Sequence, residues 1–284
     1  MSSETTASYM SVSTAAYDGY GFPEIFPSLA RCGVKQVEVA FIEGYVEAFS
    51  DDDLTTAYGR ELQEEMRRND QECRYFSGHI DLGESNACQR LEARCRFASA
   101  LGASFVITNA ASLASSEIFL AQADELAAIA RHYGMRILLE NPGNRVANLF
   151  DHSAHIAPML RKLETPEFGI NFDVGNLLSH CPDIDPLADA LAAVSWGDHF
   201  HIKSCSKVAE GIVFTPLGRG DIDEAPLLRE LMKEGIPFSL ELPFRLCRDR
   251  DAQPWRLDSA VPMKEIEENI IRSIRWINDI KSEM

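Results

Sequence analysis

The chain has 284 residues, with 27 Lys and Arg against 44 Asp and Glu, a formal charge of −17 with histidines neutral. A hydrophobic share of 45% with 25% charged residues suits a globular chain and excludes a disordered tail, a collagen-like repeat and a small disulfide scaffold. The acidic balance opposes the counterion release that drives binding to a phosphate backbone, and no apolar run nears the ~20 residues of a membrane span, so neither nucleic acid nor membrane is an expected partner.

Short β-like runs alternate with helical patterns from end to end. SYMSVST (8–14) is followed by KQVEVAF (35–41) and a helical pattern over 51–69, with Asp51 placed to cap it. CRYFSGHI (73–80) leads to a helix over 86–101, SFVITN (104–109) to one over 116–133, and MRILLEN (135–141) to one over 152–163 with Asp151 before it. FGINFD (168–173) precedes a helix over 185–194, and DHFHIKS (198–204) one over 222–234 with Asp223 at its start. PFSLELP (237–243) comes before a last helix over 263–281. Gly33, Gly102, Gly134 and Gly235 stand between a helical pattern and the next strand, where a left-handed cap is wanted.

Eight strands with helices between them predict one (β/α)8 TIM-barrel domain over 1–284, with a C-terminal helical extension at about 263–282. No GxGxxG follows the first strand and no composition break marks a second domain, which argues against an open doubly wound sheet. The longest non-helical connections, 205–221 and 243–262, follow the seventh and eighth strands, on the face where barrels build active sites. The opening MSSETTASYM lacks the basic and apolar regions of a secretory signal. Cys32, Cys73, Cys88, Cys95, Cys181, Cys205 and Cys247 form no CxxC pair, so reduced thiols in a cytoplasmic protein are expected.

Strand side chains alternate faces, and the apolar set must face the helices. With Phe200 and Ile202 outward, His199, His201 and Lys203 point inward; with Ile137 and Leu139 outward, Leu138 and Glu140 point inward. The same rule turns Asn171, Asp173, Ser239, Glu241 and Glu38 inward. Glu140, Asp173, His201 and Glu241 thus meet near the C-terminal ends of four consecutive strands. Three carboxylates converging without a counter-charge repel one another and lose hydration at a cost of several kcal/mol each, unless they bind protons. A divalent cation resolves this. The mainly hard oxygen set suits Mn²⁺ or Mg²⁺, with Co²⁺ and Zn²⁺ as further options. His79, at the end of the third run, and His199, one step deeper than His201, are candidate substrate contacts; a satisfied core histidine is the other reading of each. His132, His152, His155 and His180 fall on helices or loops and are expected to be structural or exposed.

These residues stand in segments that together resemble the xylose isomerase-like TIM barrels, a superfamily of sugar isomerases and epimerases with a DNA-repair endonuclease branch. The segments are VEVAFIEG (37–44), SGHID (77–81), ILLENPGN (137–144), NFDVGN (171–176), HFHIKS (199–204), LGRGDID (217–223) and SLELPF (239–244). The likeness is greatest to the inosose isomerase and ketose 3-epimerase type. The resemblance implies one divalent ion on Glu140, Asp173, His201 and Glu241, with Glu140 and Glu241 as the acid/base pair that moves a proton through a metal-stabilised enediolate. In the ketose 3-epimerases a histidine that contacts substrate stands three residues after the sixth-strand aspartate; here that place is Asn176. Many relatives follow the seventh-strand His-x-Lys with an aspartate, and here Ser204 stands there. Lys203 is placed either to neutralise an enolate, carboxylate or phosphate or to form an ion pair inside the barrel, and Arg219 of LGRGDID either to reach the barrel mouth and bind substrate oxygens or to stay solvated on its loop.

The expected activity is therefore isomerisation or epimerisation of a small polyhydroxylated carbonyl compound, a sugar or inosose. A metal-dependent dehydratase of a cyclic hydroxy-ketone, like the dehydroshikimate dehydratases, is the alternative, since both begin by removing an α-proton. Abasic-site endonuclease activity fits poorly with the charge and with the missing histidine after Asp173. A barrel that only binds a polyol is the non-catalytic reading. No phosphate-binding glycine loop is visible, so the substrate is expected to be unphosphorylated, and homo-oligomers through 243–282 are expected by analogy.

Overall fold

The computed structural model describes residues 9–46 and 48–284; Ser8 of the first expected strand and the segment expected to lack a secretory signal, but for its last residues, lie outside them. The eight expected runs pair in parallel and close on themselves. β1 (Met10–Ser13), β2 (Gln36–Ala40), β3 (Glu72–Ser77), β4 (Phe105–Asn109), β5 (Arg136–Glu140), β6 (Phe168–Asp173) and β7 (His199–Ile202) follow in order. Closure comes from β10 (Phe238–Leu240), which hydrogen-bonds to β7 on one side and β1 on the other. Outside lie α1 (Phe22–Arg31), α2 (Thr56–Arg68), α3 (Ala87–Leu101), α4 (Ser116–His132), α5 (Ser153–Leu163), α6 (Val174–His180), α7 (Pro186–Ala193), α8 (Ala225–Glu234) and α9 (Met263–Ser282). α9 packs on both α8 and α1, bringing the end of the chain back against its beginning.

Gly33, Gly102, Gly134 and Gly235 all take the left-handed backbone their positions demand, at φ +80°, +96°, +71° and +70°. The aspartate caps fare differently. Asp151 accepts from Asn148 N and contacts His180 Nε2 at 2.7 Å, leaving His152 as the N-cap of α5. Asp51 is held by Arg90 and Arg94, at 3.1 and 2.8 Å, in a short 3-10 turn, and Thr55 caps α2 instead. Residue 224, not Asp223, occupies the N-cap of α8.

The connections 205–221 and 243–262 are not irregular throughout. They contribute β8 (Ser204–Val208), β9 (Gly211–Thr215), β11 (Leu246–Asp249) and β12 (Pro254–Arg256), an antiparallel sheet in the order β12–β11–β9–β8. These strands are no shorter than several of the barrel, but the β11–β9 pairing that assembles them joins segments far apart in sequence. Gly211, at φ +147°, has no side chain where the Arg248 carbonyl lies, which lets β9 close on β11.

Inside the barrel, Tyr75, Ile107 and Leu138 form an apolar layer away from the C-terminal strand ends. Polar groups succeed it towards those ends. Among the described residues no helix is long and apolar enough to cross a membrane, and all seven cysteines are free.

Glu224 is fully buried, and neither carboxyl oxygen makes a hydrogen bond of acceptable geometry among the described residues, with Ser204 and the Gly218 backbone beside it. Burial raises it to about 7. A folded-state acid raised in this way keeps its proton while the unfolded chain releases one near pH 4–5. Stability is therefore lost as pH rises towards 7 and is flat above it. Glu224→Gln is expected to raise the melting temperature by several degrees at pH 8 and to leave it nearly unchanged at pH 4, as read by scanning calorimetry.

Candidate metal centre

The strand ends converge on a buried polar cluster. Asp173 ends β6 and caps α6: its Oδ1 accepts from Asn176 N at 2.9 Å, which leaves Oδ2 facing the barrel axis. Asn141 fixes the backbone there, donating to Asp173 O at 2.9 Å and accepting from Asp173 N at 2.8 Å. Glu140 ends β5, with Oε2 accepting from Asn171 Nδ2 at 2.7 Å and Oε1 from Asn176 Nδ2 at 3.1 Å. Glu241 follows β10, and His201 lies on β7 between them.

His201 is oriented by Glu38, whose Oε2 lies 3.0 Å from His201 Nε2 while its Oε1 accepts from the Ser77 hydroxyl at 2.9 Å. The other ring nitrogen, Nδ1, faces Glu140 Oε2 at 3.1 Å, Glu241 Oε2 at 3.5 Å and Asp173 Oδ2 at 3.8 Å. Burial alone would lower His201, but the surrounding carboxylates hold it well above the usual histidine range. Burial would likewise raise Glu38, and the His201 charge holds it down at about 2. For Asp173 burial wins, raising it to about 6 against the pull of Lys203. Glu241 and Glu140 are kept low despite burial, by Lys203 and His201 for the first and by His201 and His79 for the second.

Lys203 corrects the picture of carboxylates without a counter-charge. Its ammonium is buried, 2.6 Å from Asp173 Oδ2 and in contact with Glu241 Oε2. A Cβ on Gly175 would lie 2.8 Å from Lys203 Cβ, so this glycine makes room for the lysine stem.

The cluster fits a divalent ion. One ligand atom from each of Glu140, Asp173, His201 and Glu241 lies within 4.8 Å of every other. Asp173 Oδ2, His201 Nδ1 and Glu241 Oε2 are buried with no hydrogen bond of acceptable geometry among the described residues. Such atoms are costly unless something binds them, and the oxygen-rich set with one imidazole suits a hard cation. Among the described residues, Glu38, Glu140, Asp173 and Glu241 face Lys203 and His201, with His79 beside Glu140, as compensating groups.

Above this floor opens a cavity of about 400 Å³, lined by Glu140, Glu241, Lys203, Asn176 and His79 among others. That volume accommodates a small ligand. His79 Nδ1 bonds to Asn109 Oδ1 at 2.7 Å, and Nε2, without a hydrogen-bond partner among the described residues, lies 3.6 Å from Glu140 Oε2. Two expected substrate contacts lie elsewhere. His199 is one inward step below His201, about 6.6 Å deeper, with Nδ1 at 2.7 Å from Asn171 Oδ1 and Nε2 at 3.0 Å from Ser239 Oγ. Burial lowers it to about 3, so the neutral ring positions Asn171, which in turn holds Glu140. Arg219 points outside the mouth into a surface recess with Arg272 and Trp276 of α9. The chain turns there because Leu217 N donates to Ser273 Oγ at 3.1 Å and Gly218 packs on Trp276 at φ +71°.

Glu38 is inward in the sequence reading but has no role there; alternation within VEVAF is the signal that singles it out. The carboxylate behind a ligating imidazole tunes metal affinity. Glu38→Gln is expected to weaken Mn²⁺ binding about 10- to 100-fold, measured by calorimetric titration, with the melting curve still cooperative. Tyr45, Asn144, Asn148, Arg248 and Gln253 also line the cavity. They come from loops and from the antiparallel sheet, where no periodicity announces them.

The chain matches the family described as "Xylose isomerase-like TIM barrel" over residues 26–280. No curated protein matches it in sequence. Among solved structures it is similar to D-psicose 3-epimerase from Clostridium cellulolyticum H10, with 12% identity, 96% of this chain and 99% of that chain covered, and a TM-score of 0.73. It is also similar to D-allulose 3-epimerase from Methylomonas sp., at 16% identity, 95% and 96% coverage and a TM-score of 0.69. A third is the "probable 3-DHS dehydratase AsbF" from Bacillus anthracis, at 16% identity, 95% and 98% coverage and a TM-score of 0.68. At these identities the likeness establishes the fold.

Proposed function

Because the chain belongs to the xylose isomerase-like TIM-barrel family, we propose that it is an enzyme, a divalent-metal-dependent isomerase or epimerase of a small polyhydroxylated carbonyl compound. The observation that carries this reading is the convergence of one buried ligand atom each from Glu140, Asp173, His201 and Glu241 at the floor of a substrate-sized cavity, three of them without a hydrogen bond of acceptable geometry among the described residues even though Lys203 stands beside two. Glu140, Asp173, His201 and Glu241 would hold the cation, with Mn²⁺ or Mg²⁺ the best match to the donors. When bound, it supplies the positive charge that acidifies a C–H beside a carbonyl.

The proton itself is moved by the chain. Glu140 and Glu241 stand on strands separated by β6 and β7, so they reach the cavity from different sides. One removes the α-proton and the other serves the opposite face. Lys203 keeps Glu241 ionised and fit to act as a base, while Asn171 and Asn176 orient Glu140. His79 and Asn176 meet substrate hydroxyls. Return of the proton to the same carbon on its other face gives an epimer, and return to the neighbouring carbon gives an isomer.

Lys203 also supports a second reading, a dehydratase of a cyclic hydroxy-ketone. Its ammonium, held charged by Asp173 and Glu241, reaches the cavity wall where it is placed to donate a hydrogen bond to a departing hydroxyl, and the proton taken in the same first step leaves with that hydroxyl as water. Incubation of the Mn²⁺-loaded protein with ketoses and inososes in D₂O separates the two. Deuterium beside the carbonyl without loss of water is the expected result, and loss of water in its place selects the dehydratase. A protein that binds no divalent ion and exchanges no substrate C–H overturns both.

A further inference from the structure

The mouth cavity contains a buried cation that the proton chemistry does not use. Arg248 of β11 lines the cavity and is 2% exposed. Its Nη2 donates to the Tyr45 hydroxyl at 2.8 Å and its Nη1 to Ala252 O at 3.2 Å, and the guanidinium lies 5.6 Å from the Tyr45 ring centroid. All these partners are neutral. Its Nε is buried with no hydrogen-bond partner, and no carboxylate of the described residues lies within ion-pair distance. The contrast within the same fold is Arg94, equally buried and paired with Asp51 at 2.8 Å.

A buried guanidinium without an anion is unfavourable, and its planar donor fork matches a carboxylate or phosphate better than a hydroxyl. A neutral polyol would be served by the amides of Asn144, Asn148 and Gln253 on the same wall. The position is also informative. A Cβ on Gly143 would stand 2.6 Å from Arg248 Nη2 and 2.7 Å from Asn176 Oδ1, so the guanidinium flanks the amide that holds Glu140 without joining the carboxylate cluster. With a net charge of −17 the protein repels anions at long range, so holding one demands a dedicated local cation.

Building on the isomerase reading above, we propose that Arg248 binds an anionic group of the substrate, making the substrate a small hydroxy-carbonyl compound that carries a carboxylate or phosphate at the end remote from the reacting carbons. A carboxylate agrees with the expectation of an unphosphorylated substrate drawn from the missing glycine loop, and a phosphate would reverse it.

The test is calorimetric binding of three unreactive four-carbon probes, erythritol, erythronate and erythritol 4-phosphate, to Mn²⁺-loaded and chelator-treated protein. At least one anionic probe is expected to bind about tenfold or more tightly than erythritol; whichever shows the larger preference identifies carboxylate or phosphate. Arg248→Gln is expected to bring that ratio to about one, with Mn²⁺ and erythritol affinities unchanged, and Arg248→Lys to retain part of it. Equal binding of neutral and anionic probes by the native protein overturns the proposal, as does a preference that survives Arg248→Gln. The first criterion stands even where the glutamine variant fails to fold. Anion preference without Mn²⁺ binding would remove the isomerase reading and leave the anion site; Mn²⁺ binding and substrate exchange without anion preference would do the reverse.

Discussion

Replacement of Glu241 by glutamine is expected to lower exchange of the substrate α-proton by about 10³-fold at saturating Mn²⁺, within the range for loss of a positioned general base. The side chain keeps its volume and one carbonyl oxygen, so the barrel is expected to fold normally. What disappears is a basic oxygen at the cavity floor, held ionised by Lys203 and facing His201 Nδ1 at 3.5 Å. Mn²⁺ affinity should fall as well, and the two losses separate by measuring exchange as a function of metal concentration. A rate that recovers fully at high Mn²⁺ would make Glu241 a ligand without a proton-transfer role. Undiminished exchange at every concentration would remove it from the site.

Replacing Lys203 by methionine is expected to produce the largest change in the stability of the metal-free protein. The ammonium lies between Asp173 and Glu241, all three at least 97% buried, given their exposures of 3%, 0% and 3%. Removal of one partner from such a group costs about 3–5 kcal/mol, because the remaining charges are left in a medium that solvates them poorly. A divalent ion bound to the same oxygens restores the missing charge. Mn²⁺ is therefore expected to raise the melting temperature of Lys203→Met by several degrees more than that of the native chain. A metal-free variant as stable as the native protein would show that the ammonium contributes little to neutralising the carboxylates.

Both predictions depend on residues whose inward direction is legible from strand alternation alone. His201 and Lys203 alternate with Phe200 and Ile202, and Glu140 with Leu139, so the apolar partners declare the register. Glu38 is equally legible, yet nothing in VEVAF says that it faces His201, because that contact joins β2 to β7 across the closed barrel. His199 shows the limit of the same rule. Alternation establishes the face but not the depth, and one inward step separates a cavity wall from the packed interior beneath it. Arg219 and Arg248 mark a second limit. Both follow strands in long connections, and the apparent approach of the first to the mouth was a matter of chain position. The docking of Leu217 and Gly218 on α9 turns Arg219 away, whereas the β9–β11 pairing brings Arg248 in.

The acidic excess has the same two-part history. Composition alone discourages a phosphate backbone as partner, and register alone places several acids inside the barrel. How those acids are neutralised is a question of distance, and distances between strand ends exist only after the sheet closes. By itself the sequence determined the element order, the barrel and the inward set, because alternation and helical spacing are local consequences of backbone geometry. The tertiary structure alone decided that Lys203 and His201 lie among four carboxylates, that His199 supports and does not line the cavity, and that Arg248 faces it without a carboxylate partner among the described residues. Those outcomes arise from contacts between segments far apart in the chain, whose electrostatics depend on burial and separation and leave no period to read.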